Sequence, residues 1–510
     1  MLAKVSSFSI LGIKALKVQV EVDLSSGLPM FNTVGLPDGA VRESKERVRA
    51  ALINTGFAMP VSRITVNLAP ADVRKEGAAF DLPIALGILA ASGMVDETAL
   101  QQAAVVGELA LDGSIRPVRG CLAMAMAARE HGFHDLIVPE SNAAEASVAG
   151  GVRVLAAASL QQVAAHLNGG QELLPVSADF NRILPALSQY GLDLAEVRGQ
   201  EQAKRALTIA AAGGHNLLMV GPPGSGKTML AKRLSGILPP LTLEEALQVT
   251  QIASVAGHLP PDKALITERP FRAPHHTISD AGLIGGGTIP RPGEVSMAHH
   301  GVLFLDELPE FKRMALEVLR QPMEGGGVTV SRAAASLDFP ADFMLVAAMN
   351  PCPCGYNGSN QKPCICAPQQ IRQYISRVSG PLLDRIDLQV QVPAVPYSDL
   401  AGQPDPMTTA IVREQVVAAR RRQLERLNQF GVFRNAQMNT SLTSRFCQLA
   451  PASARMLERA MQRFQLSARA YSRILKLART IADLADAQVI EQAHLSEAIA
   501  YRTLDRDLTA

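Results

Sequence analysis

Gly221-Pro222-Pro223-Gly224-Ser225-Gly226-Lys227-Thr228 decides how the rest of the chain is read. The octapeptide fits G-x-x-x-x-G-K-[ST], the loop that cradles nucleotide phosphates. The apolar run Leu217-Leu218-Met219-Val220 precedes it and predicts a buried strand; Met229 to Leu234 follows with a helical pattern. Strand, glycine-rich turn and helix N-terminus together aim backbone N–H groups and the positive end of a helix dipole at an anion. In that frame Gly221, Pro222, Pro223, Gly224, Ser225 and Gly226 form the cradle. Lys227 reaches the β- and γ-phosphates of ATP, and Thr228 ligates Mg²⁺.

Length and composition bound what surrounds this loop. A chain of 510 residues is too long for one ordinary core, so roughly two to four domains are expected. Hydrophobic content of 47% with 19% charged residues is that of a globular protein. The net charge is only +2, so any grip on nucleic acid must come from local patches. Lys4, Lys14 and Lys17 interrupt the apolar residues where a signal peptide would have its core. The longest apolar stretch, 82–95, is too short to cross a membrane. A cytoplasmic protein with no membrane partner is expected. There, six cysteines argue for metal ligands or free thiols over a disulfide frame.

Residues 1–178 read as a first domain. Val18 to Val22 and Arg63 to Leu68 alternate as half-buried strands, with an amphipathic helix between them over 41–54. Residues 1–180 hold 14 Lys and Arg against 18 Asp and Glu, which disfavours this domain as the main DNA site. Glu76-Gly77-Ala78-Ala79-Phe80-Asp81, Val106-Gly107-Glu108-Leu109 and the segment Gly113 to Gly120 resemble the proteolytic domain of Lon-type proteases. Lon uses a Ser–Lys dyad, but the matching positions here hold Ala79 and Leu122, neither of which can do that chemistry. The resemblance therefore implies a non-proteolytic α+β scaffold. A linker over 168–192 leads out of it.

The ATPase core is expected over 179–404. Gly301-Val302-Leu303-Phe304-Leu305-Asp306-Glu307 reads as a buried strand ending in two acids, a Walker B pattern. Asp306 would hold Mg²⁺ through water and Glu307 would polarise the attacking water. A third apolar strand over 343–349 ends at Asn350, the sensor-1 place in AAA+ ATPases, which orients that water. Val197 to Leu207 resembles the segment that borders the adenine pocket in those proteins. Leu382-Leu383-Asp384-Arg385-Ile386-Asp387 is similar to a pattern shared by magnesium-chelatase and MCM-type ATPases. The resemblance makes Arg385 a finger that reaches a neighbouring subunit's γ-phosphate, which implies a ring, usually a homo-hexamer.

Two insertions interrupt the core. One runs from Phe271 to Glu294 and holds His275 and His276; a second pair, His299 and His300, precedes the Walker B strand. Adjacent histidines on a strand would point to opposite faces, so neither pair is expected to hold a metal. The other insertion, 325–339, predicts a hairpin. A basic residue there grips DNA in MCM-type rings, which makes Arg332 the candidate here and a solvated arginine the alternative. After Asn350 come Cys352, Cys354, Cys364 and Cys366 within 15 residues. Four thiolates suit tetrahedral Zn²⁺, although the C-x-C spacing departs from the usual C-x-x-C; free thiols or an iron–sulfur cluster are the alternatives.

Residues 405–510 predict a helical lid. Between 410 and 480 there are 14 Lys and Arg against 3 Glu, which favours phosphate or subunit contacts. Leu466-Ser467-Ala468-Arg469-Ala470 resembles the sensor-2 helix of the chelatase and MCM lid. That makes Arg469 the candidate for a γ-phosphate contact, with Arg473 the fallback.

Taken in order, these motifs resemble the bacterial ComM/YifB family of magnesium-chelatase-like AAA+ proteins. The resemblance implies a hexameric DNA helicase that acts on single-stranded and branched DNA. It would promote branch migration of recombination intermediates during natural transformation. A protein-remodelling ring and a magnesium-chelatase motor subunit are the rival readings.

Overall fold

The computed structural model describes residues 1–72, 75–179, 191–261, 263–287, 290–332, 335–359, 362–396 and 406–502. The chain divides into two compact units, Met1–Ala186 with Thr242–Thr267, and Leu187–Leu241 with Glu268–Ala510.

The first unit is built on an eight-stranded mixed sheet. Its strands are β1 (Leu2–Leu11), β2 (Lys14–Ser25), β3 (Met30–Val34), β4 (Arg63–Ala69), β5 (Ala103–Val105), β6 (Asp135–Pro139), β7 (Arg153–Ala157) and β8 (Pro175–Val176). They lie in the order β8-β7-β6-β5-β1-β2-β4-β3. β1 and β2 form a long antiparallel hairpin from Leu2 opposite Asp23 to Leu11 opposite Lys14. The helix Asp81–Ala91 is buried along its whole length, which explains why its sequence lacks a polar stripe. Its first residue, Asp81, is tied to Arg47 of the helix Gly39–Asn54 at 2.6 Å. Ala79 is half-buried and Leu122 is fully buried, so the structure puts no nucleophile or lysine at either place.

The helix Leu243–Ala256 also belongs to this unit, although its residues follow the P-loop helix in sequence. A complete capping box at Thr242 and Glu245 starts it and Gly257, with φ +74°, ends it. Ser254 Oγ donates to the buried carboxylate of Glu145, whose other contacts are Leu122 N–H and the Asn142 amide. Gln251 Nε2 reaches the Ile13 carbonyl at 2.8 Å.

The second unit contains a five-stranded parallel sheet: β9 (Leu217–Val220), β10 (Phe271–Arg272), β11 (Val302–Leu305), β12 (Met344–Met349) and β13 (Leu388–Gln391). The order is β10-β11-β12-β9-β13 and every neighbouring pair is parallel. All residues of β9, β11 and β12 are buried, as expected where both faces of a parallel sheet are covered. The lid helices Thr409–Leu427, Pro451–Phe464, Ala468–Leu484 and Gln492–Ala500 follow, and Ile474, Leu477 and Ile481 share one core with Leu217, Phe304 and Val346. Residues 327–332 and 335–340 pair as the expected hairpin, with Arg332 opposite Ala335; the Arg332 side chain lies outside the described residues. Among the described residues no helix is long and apolar enough to cross a membrane.

Much of the lid's cationic excess is absorbed internally. Arg413 and Arg420 cap carbonyls of Gly236 and Ala211, while Arg426 and Arg479 both pair with buried Asp483. Arg434 pairs with Asp342. The surface left for phosphate or subunit contacts is therefore the exposed residues Arg421, Arg445, Arg455, Arg459, Arg463 and Arg469. Charge counting along a sequence cannot separate a solvated arginine from one that caps a helix.

Candidate active site

The P-loop sits where the sequence predicts, between β9 and the helix Lys227–Ile237. Gly224 and Gly226 adopt φ +75° and +92°, conformations that glycine reaches without strain. A Cβ at Gly221 would run into the carbonyl oxygen of Val392, so close backbone approach requires glycine there. Gln200, within the segment expected to border the adenine pocket, clamps the loop: its Nε2 donates to the Ser225 carbonyl at 3.2 Å and the Pro393 carbonyl at 2.6 Å. Its own φ of +63° is the local signature of that role.

Lys227 is almost buried, and its Nζ donates to the carbonyls of Gly221 and Pro222 at 2.8 and 2.9 Å. A third donation, at 3.3 Å, goes to Asn350 Oδ1 at the end of β12. Burial lowers the Lys227 pKa, while the charges of Asp306 and Glu307 oppose that shift. Thr228 Oγ1 donates to Asp306 Oδ2 at 2.7 Å. The two oxygens are close enough to serve one Mg²⁺, with Thr228 as a ligand and Asp306 acting through water. The strand end β11 thus brings Asp306 and Glu307 to the P-loop, and β12 brings Asn350.

Glu307 has φ +53°, a left-handed conformation rare outside glycine, two residues beyond the end of β11. His276 Nδ1 lies 3.3 Å from Glu307 Oε2. The expectation that paired histidines diverge on a strand fails for a simple reason: β10 ends at Arg272. In the segment beyond it the rings of His275 and His276 lie together, tilted by 33° with their centroids 4.1 Å apart. The rings of His299 and His300 are likewise only 3.8 Å apart. Neither pair belongs to a potential metal cluster among the described residues, where the four cysteines form the one such group.

Those cysteines converge. Cys352 Sγ is 3.3 Å from Cys354 and 3.7 Å from Cys364, Cys354 is 3.6 Å from Cys364, and all four sulfurs lie within 4.8 Å of one another. Zn–S bonds of about 2.3 Å in a tetrahedron place sulfurs about 3.8 Å apart, so the donor set fits zinc. Backbone N–H groups of Tyr356 and Ile365 hold the Cys354 thiol down to about 6. Cys366 keeps an N–H donor from Cys354, yet desolvation and the neighbouring sulfurs push it up to about 12. A divalent cation relieves that mutual repulsion. Tyr374, on the helix Pro368–Ile375 just beyond the cluster, turns back so that its hydroxyl accepts the Asn350 N–H.

Arg385 is 5% exposed, pairs with Glu324 Oε1 at 2.5 Å and donates to the Pro381 carbonyl at 2.7 Å. Burial lowers its pKa; Glu324 opposes this, while Arg320, Arg469 and Arg473 reinforce it. Arg469 is exposed and so lies in the neighbourhood of Arg385. Arg473, the fallback lid arginine, is committed elsewhere: it pairs with buried Asp387 and donates to the Arg385 carbonyl.

A parallel five-stranded sheet carrying a P-loop, paired acids and a polar residue on adjacent strand ends defines a P-loop ATPase of the AAA+ type. Residues 193–400 match the family of magnesium chelatase, subunit ChlI; residues 20–142 match subunit ChlI of Mg-chelatase, and residues 406–502 match its C-terminal region. Competence protein ComM of Haemophilus influenzae is 49% identical over 510 residues, covering 99% of this chain and 98% of the relative. YifB of Escherichia coli is 46% identical over 499 residues, covering 97% and 96%. The magnesium-chelatase 67 kDa subunit of Chlorobaculum parvum is 31% identical over 162 residues, only 31% of this chain and 23% of the relative. The chain belongs to the ComM/YifB family of magnesium-chelatase-like AAA+ proteins.

Proposed function

We propose that the protein is a cytoplasmic ATP-driven ring motor, a homo-hexamer, that moves branched and single-stranded DNA. Its task would be branch migration of recombination intermediates while incoming DNA is integrated. The observation that carries this reading is the end-to-end identity with a relative named competence protein ComM. The chelatase relative spans too little of either chain to compete.

In this reading Lys227 binds the β- and γ-phosphates of ATP, Thr228 and Asp306 hold Mg²⁺, Glu307 polarises the attacking water and Asn350 orients it. Arg385 acts on the nucleotide of a neighbouring subunit, and Arg469 contacts a γ-phosphate from the lid. Arg332 at the hairpin end faces DNA phosphates. Cys352, Cys354, Cys364 and Cys366 hold one Zn²⁺. Residues 1–178 serve as a non-proteolytic scaffold for assembly or partner binding.

The test is strand exchange on a labelled three-way DNA junction with ATP, without ATP, and with Lys227→Ala. Branch movement is expected only with ATP and intact Lys227. Firm, salt-sensitive DNA binding without movement would replace the motor by a loader or switch. Absence of both would end the DNA reading.

A further inference from the structure

The four-cysteine cluster is built into the walls of the nucleotide site. Cys352 follows Asn350 by two residues, and Asn350 Oδ1 accepts from Lys227 Nζ at 3.3 Å. Within the cluster Gly355, held at φ +85° by its N–H to the Cys352 carbonyl at 3.0 Å, packs on the P-loop. A Cβ there would lie 2.5 Å from Pro223 Cδ, on a ring that cannot swing aside. Asn357 N–H donates to Cys352 Sγ at 3.3 Å and so fixes the turn around that contact. On the far side, Cys364 and Cys366 lead into the helix Pro368–Ile375, whose Tyr374 hydroxyl accepts the Asn350 N–H. One closed circuit results: Asn350, the cysteine turn, the second cysteine pair across the sulfur cluster, Tyr374 and Asn350 again, with Pro223 of the P-loop packed on the turn.

We infer that a zinc ion bound by Cys352, Cys354, Cys364 and Cys366 is a positioning element of the ATPase site, setting Asn350 and Pro223 for nucleotide. The inference rests on the zinc reading above and adds to it. Zinc touches no phosphate and moves no proton; it closes a loop whose two ends meet at the γ-phosphate end of the site. Without a shared cation nothing ties Cys352 and Cys354 to Cys364 and Cys366, so the loop can open and Gly355 can leave Pro223. Because coupling between two sites is reciprocal, ATP must tighten zinc by the same factor that zinc tightens ATP.

The experiment uses the full chain, purified without chelator. Metal analysis is expected to find about one zinc per chain. Zinc is then removed with an organomercurial and a thiol in the presence of Mg²⁺. The affinity for a fluorescent ATP analogue is expected to fall at least about tenfold, as is turnover, with both restored by Zn²⁺ alone. The reciprocal readout is zinc release to a colorimetric chelator, expected to slow when ATP is bound. Gly355→Ala keeps all four cysteines; it is expected to retain zinc yet bind the analogue more weakly. Protein that neither carries nor takes up zinc overturns the metal reading and this inference together. Zinc-free protein that stays folded with unchanged analogue affinity and turnover overturns the inference alone, as does Gly355→Ala with wild-type affinity.

Discussion

Asp387→Ala is the substitution expected to cost the second unit most. Asp387 is 5% exposed and its carboxylate accepts from Asn216 N–H at 3.0 Å and from the Arg473 guanidinium, with His215 Nδ1 3.5 Å away. Burial would raise its pKa, but Arg473, His215 and the Asn216 N–H overcome that and hold it well below the usual carboxylate range. The same residues span the fold. Asn216 accepts Leu345 N–H of β12 at 2.8 Å, its carbonyl takes both Asp387 and Leu388 N–H at 3.0 Å, and its amide meets the Arg385 carbonyl at 3.1 Å. Arg473 brings the lid helix to that Arg385 carbonyl at 2.9 Å.

Removing one partner of a buried, hydrogen-bonded pair costs about 3–5 kcal/mol, because Arg473 is left without its countercharge. At roughly 2 °C per kcal/mol for a unit of this size, the melting temperature of the second unit should fall by about 6–10 °C. Differential scanning calorimetry reads that directly. A double-mutant cycle with Arg473→Ala should give a coupling of at least about 1.5 kcal/mol, since the two side chains touch. Because the Arg385 carbonyl loses a fixed donor, hydrolysis should suffer more than ATP binding. A melting shift under about 2 °C, well below what a buried pair commands, would refute the reasoning.

His276→Ala frees the Glu307 carboxylate from its neighbour at 3.3 Å, and basal ATP turnover is expected to rise about threefold or more with KM unchanged. A fall in kcat would mean that His276 aims Glu307 at water instead of restraining it. Burial holds His299 down to about 3, below its ordinary value of 6.5, so the fold favours the neutral ring. The stability this gives is present above about pH 6.5 and is lost as pH falls; between pH 7 and 5 the loss is about 2 kcal/mol from His299. Buried His215 is shifted the same way by burial and adds to the slope. Urea unfolding at the two pH values checks this, with a shallower dependence expected for His299→Gln. Arg385→Ala should keep ATP binding and lose hydrolysis by a factor of about 10³ or more. Mixing it with Glu307→Gln subunits should restore turnover if the arginine acts across subunits, and no recovery would remove that role.

The P-loop, the paired acids and Asn350 were legible because each lies at the C-terminal end of an apolar run that becomes a parallel strand. Strand ends of one parallel sheet converge, so contiguous motifs convert directly into a site. The residues that escaped notice act across long sequence distances. Gln200 reaches the loop from just ahead of the helix Glu201–Gly213, and Tyr374 returns to Asn350 from 24 residues downstream. The attachment of Leu243–Ala256 to the first unit escaped for the same reason. Its capping box is readable, but its partners Ile13 and Glu145 stand more than 100 residues earlier. The lid arginines misled in the opposite direction, because pairing with Asp483, Asp342 and backbone carbonyls is invisible to a charge count.

The surroundings of Arg385 bear on the ring reading. Its Nε is buried without a hydrogen-bond partner, and the charges of Arg320, Arg469 and Arg473 all act against it. Glu324 is the carboxylate that holds it, and that side chain is 58% exposed. A cavity of about 410 Å³ opens beside them, lined by Arg320, Gln321, Glu324 and Arg385 among others. A cluster with more cations than anions is costly to assemble unless an anion joins it, and an exposed glutamate is easily exchanged for one. The γ-phosphate of ATP on an adjacent copy meets that requirement in charge and in oxygen acceptors. On the proposed reading, Glu324 holds the finger in place until a neighbour arrives, and Arg469 then joins Arg385 at the same phosphate.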